Sequence, residues 1–254
     1  MQTLDFRVDH VTRQRLGERS LAEVGAHLWP ESCATCSRPL GPRPAALSVS
    51  ATPDVGVASI HHFSCRRPGW EDVQTLPAGR PADHRARALL LESRRGGTAE
   101  TLPVLLVNPS LSRVELVNGP AEWRVATVEN AAALGLRPGA DVVVSDDEAG
   151  RLVARVSGAR VGVRLDDGRE WWAPVDGGVL RRIRELDGVL LAVTSAVHPG
   201  RVATVADVMP AITAGRVALG WIGLEGYARR ARGSVERQPP NDAKPAAVLD
   251  TGRG

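Results

Sequence analysis

The sequence predicts an α+β fold. A small N-terminal module with a helix and a β-hairpin is followed by a larger β-rich barrel or rolled-sheet domain with few helices. Two observations favour this division. All three cysteines of the 254-residue chain lie between positions 33 and 65, which marks out a compact unit. Residues 101–175 alternate between apolar and polar residues in many short runs, and the turns between these runs are rich in Gly, Asp and Asn.

A helix is expected within residues 1–30. Ser20 is followed three residues later by Glu23, which is the spacing of a capping box. The apolar residues that follow share one helical stripe: Leu21, Val24 and Leu28. Pro30 should end the helix, because proline cannot continue the hydrogen-bonding pattern.

A β-hairpin is expected over residues 45–62. Leu47 and Val49 alternate with serines, Thr52-Pro53-Asp54 marks a turn, and Val55–Ile60 returns as the second strand. This hairpin separates two pairs of candidate metal ligands.

The candidate ligands are Cys33 and Cys36, in a C-x2-C pair, and His62 and Cys65, in an H-x2-C pair. Thiolate and imidazole are the ligands that zinc prefers, in a tetrahedron. Two intervening residues let the backbone turn so that both side chains of a pair point to the same side. Four protein ligands leave no open position for water or substrate, so we predict one structural zinc ion.

His61 is the alternative to His62 as the fourth ligand. The two histidines are adjacent at the end of a strand, so their side chains should leave opposite faces and only one should reach the metal. The spacing of His62 to Cys65 repeats that of the first pair. Two other interpretations are three buried, unreactive cysteines and a redox C-x2-C pair, which normally follows a strand at a helix N-terminus.

The run CATCSRPLG, the hairpin and the run HHFSC resemble a treble-clef or LIM-type zinc module over about residues 30–70. The resemblance implies the ligand role for the same four residues. It also implies a helix opened by the last ligands, but Pro68 and Gly69 leave room for a single turn after Cys65. Modules of this type bind nucleic acid, protein or only their own chain, so the resemblance implies a metal and no particular partner.

The β-rich part is expected to contain one short helix, Val128–Leu134, capped by Thr127 and closed by Gly135. Residues 127–156 resemble double-psi and AbrB-like barrels in the short helix and in the residues Ala131, Ala132, Leu134, Gly135, Leu136, Gly139, Val142 and Val144. The resemblance implies a barrel and says little about a ligand. A helix with Val179 and Ile183 inward and a buried strand over Val189–Thr194 should follow. The predicted strands are Leu102–Val107, Arg113–Val117, Trp123–Ala126, Asp141–Ser145, Arg151–Val156, Arg160–Leu165 and Glu170–Val175.

These elements predict four segments. Residues 1–75 form the helical lead-in and zinc-binding module, 76–100 a linker, 101–227 the β-rich α+β domain, and 228–254 a disordered polar tail. Within the linker, Ala86–Leu91 could be helix or strand.

A possible partner-binding surface involves Trp171 and Trp172, which are adjacent in a predicted strand, so one should face the core and one the solvent. An exposed tryptophan could stack on a nucleic-acid base, and a basic cluster follows at Arg181, Arg182 and Arg184. Lysine occurs once among 32 basic residues, a bias typical of GC-rich bacterial genomes, which weakens the significance of each arginine. The net charge of +3 permits nucleic-acid binding without requiring it.

No phosphate-binding loop, nucleophile elbow or H-E-x-x-H motif is present in the sequence, so no catalytic or cofactor-binding residue is predicted. The odd number of cysteines and the lack of an apolar leader or span favour a cytoplasmic protein without a membrane partner. We interpret the chain as a non-enzymatic, zinc-containing protein that binds nucleic acid or another protein. The alternatives are an enzyme with its pocket in the β-rich domain and a structural subunit of a larger assembly. The oligomeric state stays open.

Overall fold

The structure, a computed structural model, describes residues 6–76, 84–95, 98–139 and 152–225. The strands are β1 (Phe6–Arg7), β2 (Ala45–Ala51), β3 (Val55–His61), β4 (Gly69–Asp72), β5 (Arg85–Arg95), β6 (Thr98–Asn108), β7 (Arg113–Asn118), β8 (Trp123–Val125), β9 (Arg137–Pro138), β10 (Val153–Ser157), β11 (Arg160–Arg164), β12 (Glu170–Pro174), β13 (Gly188–Val193) and β14 (Ala218–Gly223). The helices are α1 (His10–His27), α2 (Thr127–Ala133), α3 (Gly177–Glu185) and α4 (Met209–Thr213), with short 3-10 turns at Pro199–Arg201 and Val205–Asp207.

The strands form three sheets. The first has six strands in the order β1-β2-β3-β7-β8, with β4 also paired to β2. The second is the antiparallel set β10-β11-β12, and the third has the order β5-β6-β13-β14-β9. The described chain is therefore mostly β-sheet with few helices and a curled, half-barrel sheet, in agreement with the outline of the predicted fold class.

Two of the apolar cores organise the fold. The larger one collects side chains from β11, β12, β13 and α3, and β13 is buried along its whole length. Its sequence, GVLLAV, is the continuous apolar run expected of a strand covered on both faces. The second core packs α1 against β2 and β3 and includes Cys33, which is only 1% exposed. The candidate metal ligands therefore adjoin a packed core.

The first helix begins earlier than we predicted. Asp9 is its N-cap, and its carboxylate accepts hydrogen bonds from the backbone amides of Val11 and Thr12. The helix breaks at Gly17, where φ is 73°, and then continues. The predicted capping box is wrong, because Ser20 lies inside the helix and Glu23 instead accepts a hydrogen bond from the Val125 amide.

The short helix α2 also differs from the prediction in its cap. Thr127 is its first residue rather than its N-cap, and the hydroxyl of Thr127 lies 2.7 Å from Ser195 Oγ. Ala126 occupies the cap position without a side-chain hydrogen bond. Gly135 follows the helix with φ of 92°, which is the left-handed conformation expected of a closing glycine.

The β-hairpin predicted for residues 45–62 is present as the antiparallel pair β2–β3. The strands predicted around β6, β7, β8, β10, β11 and β12 are present with shifted ends. The predicted strand Asp141–Ser145 and the predicted tail 228–254 lie outside the described residues. Within residues 76–100, the predicted linker, the structure has strand β5 at Arg85–Arg95, which pairs with β6 along its entire length.

The first sheet takes strands from both sides of that predicted linker. β3 is the second strand of the hairpin. Its edge opposite β2 pairs with β7, from Val55 with Val117 to Ser59 with Arg113. The division of the chain into two units stays a prediction, but the two parts share this sheet.

A buried group of polar side chains also connects the two parts. His27, at the end of α1, places Nδ1 2.7 Å from the hydroxyl oxygen of Ser195. The Ser195 carbonyl accepts hydrogen bonds from Trp29 Nε1 at 2.8 Å and from Asn108 Nδ2 at 3.3 Å.

Within the part of the chain that the structure describes, no helix is both long and apolar enough to cross a membrane.

Candidate metal centre

The first ligand pair lies on a tight turn that is fastened to the hairpin. The amide of Cys33 donates to the Arg38 carbonyl at 2.9 Å, and the amide of Ser37 donates to the Cys33 carbonyl at 2.8 Å. Ser37 adopts a positive φ of 60°, which reverses the chain. The amide of Ala34 donates to the carbonyl of Ile60 in β3 at 2.9 Å. These bonds fix the turn against the strand that leads to the second pair.

The second ligand pair lies on a single turn just after β3. The amides of Cys65 and Arg66 both donate to the His62 carbonyl, at 2.9 and 3.1 Å. The chain then enters β4, which begins at Gly69 and runs parallel to β2. A helix after the last ligand, which the treble-clef resemblance implies, is therefore replaced by a strand.

The structure brings Cys33, Cys36, His62 and Cys65 together, with one potential ligand atom from each, all within 4.8 Å of one another. His62 Nδ1 lies 3.4 Å from Cys36 Sγ and 3.8 Å from Cys65 Sγ. A tetrahedral zinc ion with ordinary bond lengths would separate a sulfur and a nitrogen ligand by about 3.6 Å. The two distances from His62 Nδ1 therefore match the ligand spacing of a tetrahedral zinc site.

The orientation of His62 is set from outside the group. Its Nε2 lies 2.8 Å from the Pro39 carbonyl oxygen, which can only accept, so Nε2 carries the proton and donates. Nδ1 is then the unprotonated nitrogen and directs its lone pair toward the cysteines. A carbonyl partner on the far ring nitrogen is the usual way in which proteins orient a metal-binding histidine.

Backbone amides prepare two of the thiols for the thiolate form. The amide of Arg38, followed by its side chain, lowers the pKa of Cys36 to about 6. Burial raises the pKa of Cys33, but hydrogen bonds from the amides of Cys36, His62 and Thr35 outweigh it and leave this pKa below its ordinary value. These contacts stabilise the charged sulfurs that a metal ion requires.

The pKa values of the other two ligands are raised. The hydrogen bond to the Pro39 carbonyl is the main cause of the raised pKa of His62. Burial, and then hydrogen bonds with the neighbouring thiols of Cys36 and Cys33, raise the pKa of Cys65. A divalent cation among the sulfurs would favour the thiolate form of all three cysteines.

His61, the alternative ligand, points away from the group. Its Nδ1 lies 2.8 Å from Thr35 Oγ1 and its Nε2 lies 2.8 Å from Ser59 Oγ. Burial, and then the positive charges of Arg66 and Arg113, lower the pKa of His61 to about 4. Both ring nitrogens of His61 lie within hydrogen-bonding distance of hydroxyl groups, and His61 is not part of the group formed by Cys33, Cys36, His62 and Cys65.

The tryptophans predicted as a partner-binding surface divide as expected, one inward and one outward. Trp171 belongs to the larger core and is 5% exposed. Trp172 is half-buried, donates from Nε1 to Glu170 at 2.9 Å, and has the guanidinium of Arg160 5.6 Å from its ring centroid. Trp171 is therefore unavailable to a partner.

The predicted basic cluster lies on α3. Arg181 pairs with Glu185 at 3.8 Å. Arg182 donates to the Thr101 carbonyl at 2.7 Å and also pairs with Glu185 at 3.1 Å. Arg184 is exposed. Much of the cluster's charge is thus balanced locally.

A groove of about 580 Å³ beside the metal ligands was not predicted. Its wall includes Arg43, Phe63, Arg66 and Arg67 together with the ligands His62 and Cys65. The sequence did carry a signal for it. In HHFSCRR, a large apolar residue stands between two ligands and two arginines follow the last one, although a purely structural site requires neither.

No family model, curated protein or solved structure matches this chain. The ligand group therefore supports the treble-clef resemblance, but no family match supports it. What the chain does has to be inferred from the chemistry of its own residues.

Proposed function

We propose that Cys33, Cys36, His62 and Cys65 bind one zinc ion and that the chain is a non-enzymatic binding protein stabilised by it. The observation that carries this proposal is the complete set of four ligand atoms within 4.8 Å. Four protein ligands leave no position at which water or a substrate could be activated, so the ion is structural.

The donor set favours zinc over the other common ions. Thiolate ligands select soft or borderline metals, whereas magnesium and calcium require oxygen. Three cysteines and one histidine are a common structural zinc set. The resemblance to treble-clef and LIM-type modules supports the same ion, with the difference that a strand follows the last ligand.

Nucleic acid is the partner that we propose, with another protein as the alternative. The net charge of +3 and the sequence pI near 9.1 are compatible with an anionic partner. Exposed arginines also stand in the groove beside the metal ligands. Three alternatives would replace this proposal if the chain binds no nucleic acid: a protein partner, a role in a larger assembly, or an unrecognised enzymatic activity.

The metal part of the proposal is tested by zinc content. Wild-type protein purified without chelators should contain about one equivalent of zinc. Cys36→Ser should lose most of it, because one of four ligands is gone. Ser64→Ala is the matched control, since Ser64 lies exposed in the same turn as His62 and Cys65 and is not in the ligand group. Wild-type protein with almost no zinc would overturn the assignment.

The partner is tested by fluorescence anisotropy with labelled DNA and RNA at increasing salt. Phosphate contacts release counterions, so affinity should fall steeply between about 50 mM and about 200 mM salt. Absence of binding at about 50 mM salt would overturn the nucleic-acid part and leave the zinc part standing on its own measurement.

A further inference from the structure

We propose that the groove beside the metal centre binds single-stranded nucleic acid, with one base stacked on Phe63 and the adjoining phosphates held by Arg43 and Arg67. This inference rests on the proposed function and assigns its partner to one site. We call the surface formed by these three residues the Phe63 groove.

Phe63 is presented to solvent on a rigid turn. It lies between the ligands His62 and Cys65, whose positions are fixed by the hydrogen bonds from the Cys65 and Arg66 amides to the His62 carbonyl. Phe63 is 49% exposed, although large apolar side chains are normally buried. A turn whose backbone is held in place before a ligand arrives loses little conformational entropy on binding.

The arginines in the groove differ in how far they are neutralised. Arg66 donates to Glu71 at 2.6 Å and to Ser50 at 3.2 Å, so its charge is already balanced. Arg43 and Arg67 are exposed and form no ion pair with any residue in the described part of the chain. They remain able to contact phosphate.

The metal centre does not neutralise the charges of Arg43 and Arg67. Three thiolates and one divalent ion leave a single net negative charge, and the Arg38 side chain forms a hydrogen bond with Cys36 on that group. The guanidinium of Arg7 stands 6.0 Å from the centroid of the Phe63 ring and adds a further positive charge at the groove. No aspartate or glutamate is among the described residues that line it.

The flat ring of Phe63, together with two arginines that have no ion-pair partner among the described residues, favours a single strand over a duplex. In a duplex the base faces are covered by their neighbours, whereas a single strand can turn a base onto an aromatic side chain. The groove volume of about 580 Å³ lies within the range of sites for small molecules, so it can accept one nucleotide.

The experiment measures binding of the full, zinc-loaded chain to a labelled single strand of about 12 thymidines and to a duplex of equal length. Phe63→Ala should weaken binding to the single strand by roughly five- to 150-fold, and Phe63→Trp should retain it. Arg43→Ser and Arg67→Ser should each reduce the slope of log affinity against log salt by about 0.7. Zinc content, measured on each variant, reports whether the turn is intact.

Arg87→Ser is the matched control, because it removes the same charge from an exposed site on β5, outside the groove and outside the predicted basic cluster. Wild-type affinity in this variant, together with the losses in the Phe63 groove, supports the proposal. Salt-dependent binding that is unchanged by Phe63→Ala and Arg67→Ser would overturn the groove while the proposed function stands. Equal affinity for the duplex would overturn base stacking. If the wild-type protein does not bind at about 50 mM salt, both the groove and the nucleic-acid function fall.

Discussion

Two adjacent histidines allow metal binding and fold stability to be separated by matched substitutions. His61→Phe replaces a buried ring by one of similar shape that cannot form hydrogen bonds with Thr35 and Ser59. Thr35 is exposed and can bond to water instead, and the Ser59 hydroxyl lies 3.4 Å from the Ser48 carbonyl oxygen, which can still accept. The variant should therefore lose only about 1–2 kcal/mol of unfolding free energy and keep its zinc.

His62→Phe should have the opposite effect. It removes the Nδ1 ligand and the bond from Nε2 to the Pro39 carbonyl. Loss of an outer partner alone typically lowers metal affinity by about 10–100-fold, and loss of a ligand should exceed this. Zinc affinity is measured by competition with a coloured chelator. Cobalt(II) substitution gives a second readout through thiolate-to-metal absorption.

The two variants can be compared directly, because the same change, histidine to phenylalanine, is made at two adjacent positions. Urea denaturation with excess zinc measures the stability of each variant. If His61→Phe lost zinc while His62→Phe kept it, our ligand assignment would be reversed. If both variants kept one equivalent, the ligand group would not be the metal site.

Three further predictions concern the fold. Gly162→Ala should cost about 1–3 kcal/mol in urea denaturation, since a methyl group there would lie 2.5 Å from the Trp172 indole, whereas Gly69→Ala meets nothing within 4 Å and should be tolerated; equal stabilities would contradict this. Burial lowers the pKa of His27 from 6.5 to about 4, so between these values the unfolded chain binds a proton that the folded chain excludes. The contribution of His27 to stability should therefore be complete above pH 6.5 and fall by on the order of 3 kcal/mol as the pH drops toward 4, in addition to a fall of the same sign from His61; thermal unfolding of His27→Gln should show a flatter pH dependence than the wild type. Asp9→Ala should lower stability by about 1 kcal/mol through loss of the helix cap, with Asp9→Asn as the conservative control, and an unchanged denaturation midpoint in Asp9→Ala would refute the role of this cap.

The ligand group could be predicted because its signals are local. The C-x2-C and H-x2-C spacings each describe a single turn, and the alternating residues between them describe a hairpin whose strands are neighbours in sequence. The choice of His62 over His61 followed from the same spacing, and the structure agrees with it. The helix cap at Asp9 could not be predicted in this way, because aspartate and serine can both cap a helix and the break at Gly17 shows only in the backbone conformation.

Strand pairing over long sequence distances could not be predicted in the same way. The pairing of β3 with β7 joins residues about 60 positions apart, and no periodicity within either strand specifies its partner. β5 was left open between helix and strand although its start alternates, with Arg85 and Arg87 exposed and Ala86 and Ala88 half-buried, because the Pro- and Gly-containing segments on either side favoured a linker. The exposure of Phe63 depends on which elements surround its turn, so it too required the structure.

The pairing of β3 with β7 has a consequence for biosynthesis. A nascent chain that has reached residue 75 already contains all four ligands and both hairpin strands. At that stage one edge of Val55–His61 lacks the partner that Arg113–Asn118 later supplies. Open strand edges are prone to aggregation. If the proposed zinc ion binds, the four ligands are available for it early, whereas the partner of this edge comes only after about 40 more residues have left the ribosome, and in that interval the growing chain carries an unpaired strand edge.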